Sequence, residues 1–357
     1  MDNASVTARP VADAERISAL DVARGIALLG ILTVNIHYFG WPLGDVMGTH
    51  SPPKDADTPE FAAWYYFRTL GEGKFFTVFS MLFGAGLTIQ WARARERGLG
   101  FGVLAFRRLG FLMALGMCHA LLLWYGDILF VYAWVGLLML VPLVWKWSAR
   151  TQVVVAACLV VVASLLWGGV SAVQGWGERA AQQQAAAPVS APIDSTNTHT
   201  EATGFDATPV GRLVDHWQHG QGSGSPDDPV WRENEVLAYR HGPWLQAFFF
   251  RAMTWLSMLV MMLFGFGVSV VAMFLIGSAM VKADIFRTAP DRFFARWAAA
   301  GFGVGLPLSI ASTAMLSSPR PWIREFLSSA LFLPAGAAVA IGTLALVTLW
   351  TRSGRAS

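Results

Sequence analysis

Residues Trp255–Val281, WLSMLVMMLFGFGVSVVAMFLIGSAMV, carry no charged side chain, and Lys282 closes the run. A helix needs about 20 apolar residues to cross the hydrocarbon core of a bilayer, so this stretch can span one by itself. Outward from it, the same criterion picks out Ala19–Trp41, Phe75–Trp91, Leu104–Tyr125, Ile128–Trp145, Gln152–Val173, Phe293–Leu316 and Phe326–Trp350. The second is the shortest, and Pro334 is expected to kink the last. Composition agrees: 55% of residues are hydrophobic and 14% charged, where soluble domains carry about 25% charged. The expected fold is all-α, a polytopic integral membrane bundle of about eight transmembrane helices.

Alternate connections between these runs differ in charge. One set holds Arg9 and Arg16, then Arg93, Arg95, Arg97, Arg107 and Arg108, then Lys146 and Arg150, then Lys282, Arg287, Arg292 and Arg296, and finally Arg352 and Arg355. Short loops rich in Lys and Arg stay on the cytoplasmic side, so both termini are expected there. The other set holds Asp45, Lys54, Asp55, Asp57 and Glu60, the turn Tyr125-Gly126-Asp127, and one long loop. The expected organisation is a cytoplasmic N-tail over 1–18, five spans within 19–173, an external loop over 174–251, three spans within 252–350 and a cytoplasmic tail over 351–357. The N-tail is too polar for a signal peptide, so the first run is expected to remain as a membrane helix.

Within the long loop, QQQAAAPVSAPIDSTNTHTEATG and QGSGSPDD are too polar to bury a core and are expected to be mobile. From Trp231 the pattern WRENEVLAYRHGPWLQAFFFRAMTW turns helical and amphipathic, as for a helix lying in the outer interface. Cys118 and Cys158 fall inside apolar runs, where cysteine serves as a small buried hydrophobe.

An ionisable residue inside a membrane span is costly, which makes each one a candidate for function. In RISALDVARGIALLGILTVNIHYFGW, Arg24 and Asn35 are separated by almost three whole helical turns and share a face about 16 Å long, with Asp21 beside Arg24. Two readings stand: a structural Asp21–Arg24 pair with Asn35 bonding a neighbouring helix, or one wall of a ligand path. Glu72 and Lys74 open the second span, either as an interface anchor or as part of a site. His119 lies about two turns below Asp127, either as a neutral core histidine or as a base. With His37 and His50 near the first span's outer end, these groups converge on the outer half of the membrane from three helices. Acid–base or acyl-transfer chemistry wants such a set.

Other chemistries lack their residues. There is no GxxxxGK[ST] loop, no HExxH, no CxxC and no histidine pair at zinc spacing, so no metal is expected. No nucleic-acid signature is present, and the bilayer itself is the expected surrounding. GFGVG at 301–305 and LFGAG at 82–86 lie inside spans, where glycines let helices approach closely.

Four ordered segments, RISALDVARGIALLGILTVNI, EGKFFTVFSMLFGAGL, RRLGFLMALGMCHALLLWYGDIL with VYAWVGLLML, and YRHGPWLQAFFFR, resemble the markers of the YeiB-like bacterial membrane proteins, a domain of unknown function. That family resembles a wider group of transmembrane acyltransferases, whose first-span pattern R-x-x-x-L-D-x-x-R-G is matched by Arg16, Leu20, Asp21, Arg24 and Gly25. The resemblance implies a multi-pass protein of the bacterial cytoplasmic (inner) membrane. It would move an acyl group from cytoplasmic acyl-CoA, acetyl-CoA being the simplest donor, to a small-molecule or glycan acceptor outside. It places Arg24, with Asp21, at the CoA entrance and Asn35 near the transfer site. Acyltransferase-3 proteins carry a histidine near the position of Asn35, so here the base is assigned to His119, oriented by Asp127, with Asn35 or Lys74 at the oxyanion and Glu72 beside them. Members of that family usually continue past the eighth span with more helices, where this sequence stops at RSGRAS, as expected of a truncated, a frameshifted or a divergent short member. The alternatives are a small-molecule transporter or exporter and a noncatalytic membrane factor. Nothing in the sequence bears on oligomeric state.

Overall fold

The computed structural model describes residues 17–40, 42–43, 57–98, 100–139, 142–185, 204–219, 228–316 and 321–354. Arg9, Arg16, Asp45, His50, Lys54, Asp55, Arg355 and most of the two polar loop tracts lie outside the described residues. The described residues form helices and no strand. Among the described residues seven helices are long and apolar enough to cross a membrane, and the protein is an all-α, multi-pass membrane bundle.

The first span is α1 (Ser18–Gly40). The second starts earlier than its apolar run: α2 (Pro59–Tyr66) passes through a π-helical turn, Phe67–Gly71, into α3 (Lys74–Glu96). Gly73, at φ +81°, takes the left-handed conformation at the junction, where a side chain would be strained. The next helix, α4 (Phe101–Leu122), is followed by α5 (Leu129–Met139) and the short α6 (Pro142–Lys146). Of the fourth expected span the described residues give α5, about 16 Å long, and α6. Then come α7 (Ala149–Ala185), α8 (Pro209–Gln218) and α9 (Pro229–Arg240). The sixth span is α10 (Trp244–Val260), a π-helical turn Met261–Phe266, and α11 (Gly267–Lys282). A single turn, α12 (Ile285–Thr288), precedes α13 (Asp291–Met315) and α14 (Pro321–Arg352), and the last runs on through Pro334.

The apolar faces divide between lipid and core. Leu28, Leu29, Leu32 and Ile36 on α1, and Val103, Phe106, Phe111 and Leu115 on α4, are exposed. So large an apolar surface is suited to acyl chains rather than water. Cys118 and Cys158 are exposed on this outer surface, not buried as their apolar surroundings suggested, because an apolar run does not tell the core face from the lipid face. The centre is α11, where Val270, Ala272, Met273, Phe274 and Leu275 are all buried. It packs against α3, α7 and α5. Glycines set these approaches: a Cβ on Gly84 would strike the Phe274 backbone, and one on Gly301 would meet the Ala338 carbonyl and Gly342. Gly84, Gly301 and Gly305 thus serve helix contact, as their position in spans predicted, while Gly86 and Gly303 face open space.

Cations lock the Arg-rich end. Lys282 Nζ donates to the carbonyls of Trp145 and Trp147 at 3.0 and 2.8 Å, satisfying the end of α6. Arg352 donates to the Phe286 and Ala289 carbonyls at 2.8 Å and pairs with Asp291 at 2.9 Å.

At the opposite end, α8 and α9 form a cap on the start of α10. Val210, Leu213, Trp231, Ala238 and Phe250 bury one another, with Trp217 against them. This core lies between and after the two polar tracts of the long loop. The helix α9 buries Trp231, Asn234 and Glu235 inside the cap, and His241-Gly242-Pro243 separates it from the span. Asp228 starts α9: one carboxylate oxygen accepts from the Val230 amide at 2.9 Å, and the other meets His216 Nε2 at 3.2 Å. Asp228→Ala removes both, and the loss of an N-cap costs about 1 kcal/mol. Amide exchange in α9 should accelerate by roughly fivefold or more, with the core spans unchanged.

Candidate functional site

The end of α4 and the start of α5 bring His119 and Asp127 together. The His119 carbonyl accepts from the amides of Leu123 and Trp124, both at 2.9 Å, which turns the chain out of the helix. Asp127 then caps α5, its Oδ1 accepting from the Phe130 amide at 2.7 Å. Its Oδ2 lies 3.1 Å from His119 Nδ1, with the carboxylate wholly buried and the imidazole a third exposed. Gly116 allows this closeness, since a Cβ there would press on Asp127 Oδ1 and the Phe130 amide. Burial pushes the Asp127 carboxyl above the ordinary carboxylate range, while the Phe130 amide and His119 pull against that shift.

His119 opens on a cavity of about 590 Å³, inside the size range of small-molecule sites. Its walls come from three spans and from the cap. Tyr38, Phe39 and Gly40 close α1, Trp124 and Tyr125 follow α4, Glu235, Tyr239 and Arg240 belong to α9, and Arg251 belongs to α10. Phe39 meets Trp124 edge-on, with ring centroids 4.9 Å apart. Burial pushes the phenols of Tyr125 and Tyr239 up, and Glu235 adds to both shifts. Both therefore stay protonated at neutral pH.

Glu72 and Lys74 stand behind this wall. At the break of the second span, Arg68 Nη1 pairs with Glu72 Oε2 at 2.7 Å. Lys74, only 4% exposed, donates from Nζ to the Arg68 carbonyl at 3.2 Å. Both cations face the Phe332 ring, with Arg68 Cζ 5.6 Å and Lys74 Nζ 5.4 Å from its centroid. The Tyr38 hydroxyl, on the cavity wall, hydrogen-bonds Glu72 and so ties the ion cluster to the cavity. Asn35 is half-buried on α1, one turn before Tyr38, and is not part of the wall.

Toward the Arg-rich end, Arg24 pairs with Asp21 on the same face of α1 at 2.8 Å, both half-exposed. Arg24 also lines a hollow of about 120 Å³ with Phe79, Leu82, Phe83 and Gln90. Arg108 donates to Gln90 at 2.7 Å there. The structure thus brings His119 and Asp127 together, sets Glu72 against Tyr38 of the wall that His119 also lines, and leaves Arg24, Asp21 and Asn35 apart. Among the described residues no cluster of three or more His, Cys, Asp or Glu could hold a metal ion.

Tyr38, Arg68, Glu235, Tyr239 and Arg251 are the polar residues that sequence reasoning missed. Arg251 had a signal: it is an ionisable residue inside FFFRAMTW, the feature that singled out Lys74. Assigned to the edge of the loop, it escaped that test.

One stretch of 128 residues is 41% identical to the uncharacterized protein YeiB of Escherichia coli (strain K12), covering 35% of this chain and 30% of YeiB. Another comparison gives 38% identity over 135 residues with the uncharacterized protein YxaH of Bacillus subtilis (strain 168), covering 37% and 34%. An uncharacterized 39.9 kDa protein of Bacillus acidopullulyticus is 40% identical over 131 residues, covering 37% and 35%. The matches span about a third of the length of these curated relatives, and they support kinship with YeiB-like proteins over that part. No family model matches the chain, and no solved structure matches it.

Proposed function

We propose that this protein is a transmembrane acyltransferase of the bacterial cytoplasmic membrane, passing an acyl group from acyl-CoA to a hydroxyl or amine bound in the cavity beneath the cap. The observation that carries this reading is the His119–Asp127 pair at 3.1 Å, opening on a cavity of about 590 Å³. With Nδ1 turned to Asp127, Nε2 is the ring nitrogen left for an acceptor. His119 would take the acceptor proton as the acceptor attacks the thioester carbonyl. The tetrahedral intermediate then collapses, the C–S bond breaks, and the CoA thiolate receives the proton from His119. The acyl acceptor bond replaces the thioester, and atoms balance.

The donor's phosphates would be met at the Arg-rich end by Arg24 and Arg108. The hollow of about 120 Å³ beside Arg24 cannot enclose a nucleotide, so that part of the donor would rest on the surface. Asn35 and Lys74 are given no part in the step: Asn35 is off the wall, and Lys74 is bonded to the Arg68 carbonyl. Membranes holding the protein should consume acetyl-CoA or a longer acyl-CoA and release free thiol when supplied with hydroxyl and amine acceptors. Donor that is neither bound nor consumed overturns the reading.

A second reading is favoured by the π-helical turns Phe67–Gly71 and Met261–Phe266, which interrupt spans in both halves of the chain. Interrupted helices are common at transporter sites and π-turns at functional sites generally. A transporter would move solute into sealed vesicles without thiol release.

A further inference from the structure

We propose that the cavity beneath the cap selects ligands carrying a carboxylate or phosphate group, which the Arg251 guanidinium holds. The inference rests on the reading of this cavity as the acceptor site and names the acceptor's chemistry. Arg251 is 6% exposed, yet it lines the cavity. Its Nε donates to the Leu121 carbonyl at 2.9 Å, which aims the fork. The rings of Tyr239 and Trp244 flank it at 5.7 and 6.0 Å, and the Tyr239 hydroxyl meets it. Its Nη2 is buried and has no hydrogen-bond partner among the described residues.

A buried guanidinium with an unused donor is costly unless something accepts from it, and a planar fork matches a carboxylate or phosphate. Among the described residues no carboxylate pairs with Arg251. Arg240 adds a second cation to the wall and Glu235 one anion. The fully buried Asp127 carboxylate faces His119. The wall therefore carries more positive than negative charge. A ligand's anionic group meets the guanidinium where Arg251 lines the cavity, and the aromatic wall of Tyr38, Phe39 and Trp124 covers its body.

The test uses the full chain in detergent, without acyl-CoA, titrated with glucose 6-phosphate, glucuronate and glucose. Tryptophan fluorescence reads binding, since Trp124 lines the cavity. The two anionic probes should bind at least about tenfold more tightly than glucose. Arg251→Gln should erase that preference, and Arg251→Lys should weaken it while keeping the charge. Arg292→Gln, at the far end, should leave it intact. If neither glucose 6-phosphate nor glucuronate binds, or glucose binds as well, the inference fails. That wild-type comparison decides even if Arg251→Gln does not fold.

Soluble solutes and lipid headgroups are separated by repeating the titration in nanodiscs. Phosphatidylglycerol that competes with glucose 6-phosphate, where phosphatidylcholine does not, assigns the anion to a lipid. Equal binding in both assigns it to a solute. Preferential anion binding without any thiol release removes the acyl-transfer reading and leaves this one standing, and thiol release with no anion preference does the reverse.

Discussion

Alanine at His119 is expected to lower acyl-CoA-dependent thiol release by about 10²- to 10⁴-fold, the usual contribution of a positioned acid–base group. The expectation follows from the placement of the imidazole. Its Nδ1 is held 3.1 Å from a carboxylate that is itself fixed by the Phe130 amide at 2.7 Å. The rest of the ring faces the cavity. A neutral core histidine would show a different pattern, with both nitrogens used inside the bundle and no cavity beside it. Because the imidazole is a third exposed, its removal should leave the bundle folded, and unchanged insertion and elution volume are the control. Asp127→Asn should lower the rate by a smaller factor while keeping the cap on α5, since an amide oxygen can still accept from Phe130. Thiol release unchanged in His119→Ala would mean that another group is the base.

The membrane bundle was legible because its signal is composition over long windows, which single residues cannot erase. The His119–Asp127 pair was legible for a related reason: both residues bracket one helix end, so chain connectivity already brings them near. Contacts between distant segments left no such mark. On α1, spacing put Arg24 and Asn35 on one face but could not say what lay across from it. Tyr38, one turn beyond Asn35, is the residue that reaches the wall. The cap was hidden by averaging. Within a polar loop, Val210, Leu213 and Trp217 repeat at helical spacing, a stripe too short to outweigh the flanking tracts of Gln, Ser and Thr. Arg251 was hidden in the same way, being the last residue of the segment read as loop.

The largest effect on folding is expected at Gly277. This residue sits on α11 where α3 crosses it, and an added Cβ would fall on the Met81 carbonyl and close to the Ala85 amide. Gly84 makes the reciprocal approach from α3 to the Phe274 backbone. Two helices in mutual contact through glycine backbone cannot admit a side chain by rotamer change, because the obstacle on each side is main chain. Gly277→Leu must push α3 and α11 apart, which opens the packing of Met81, Phe274 and Val270 at the centre of the bundle. Overpacking of this kind costs about 3 kcal/mol or more where the backbone cannot yield. The crossing also holds the Thr88 Oγ1 donation to Ser278 Oγ at 2.8 Å, which separation would break. Thr88→Ala removes this hydroxyl, which also reaches the Gly84 carbonyl at 2.9 Å, without adding bulk at the crossing, and should cost about 1 kcal/mol. Folded yield by size exclusion and the unfolding midpoint should therefore fall far more for Gly277→Leu than for Thr88→Ala, with Gly277→Ala between them. A wild-type midpoint for Gly277→Leu would show that α3 and α11 do not meet at this glycine.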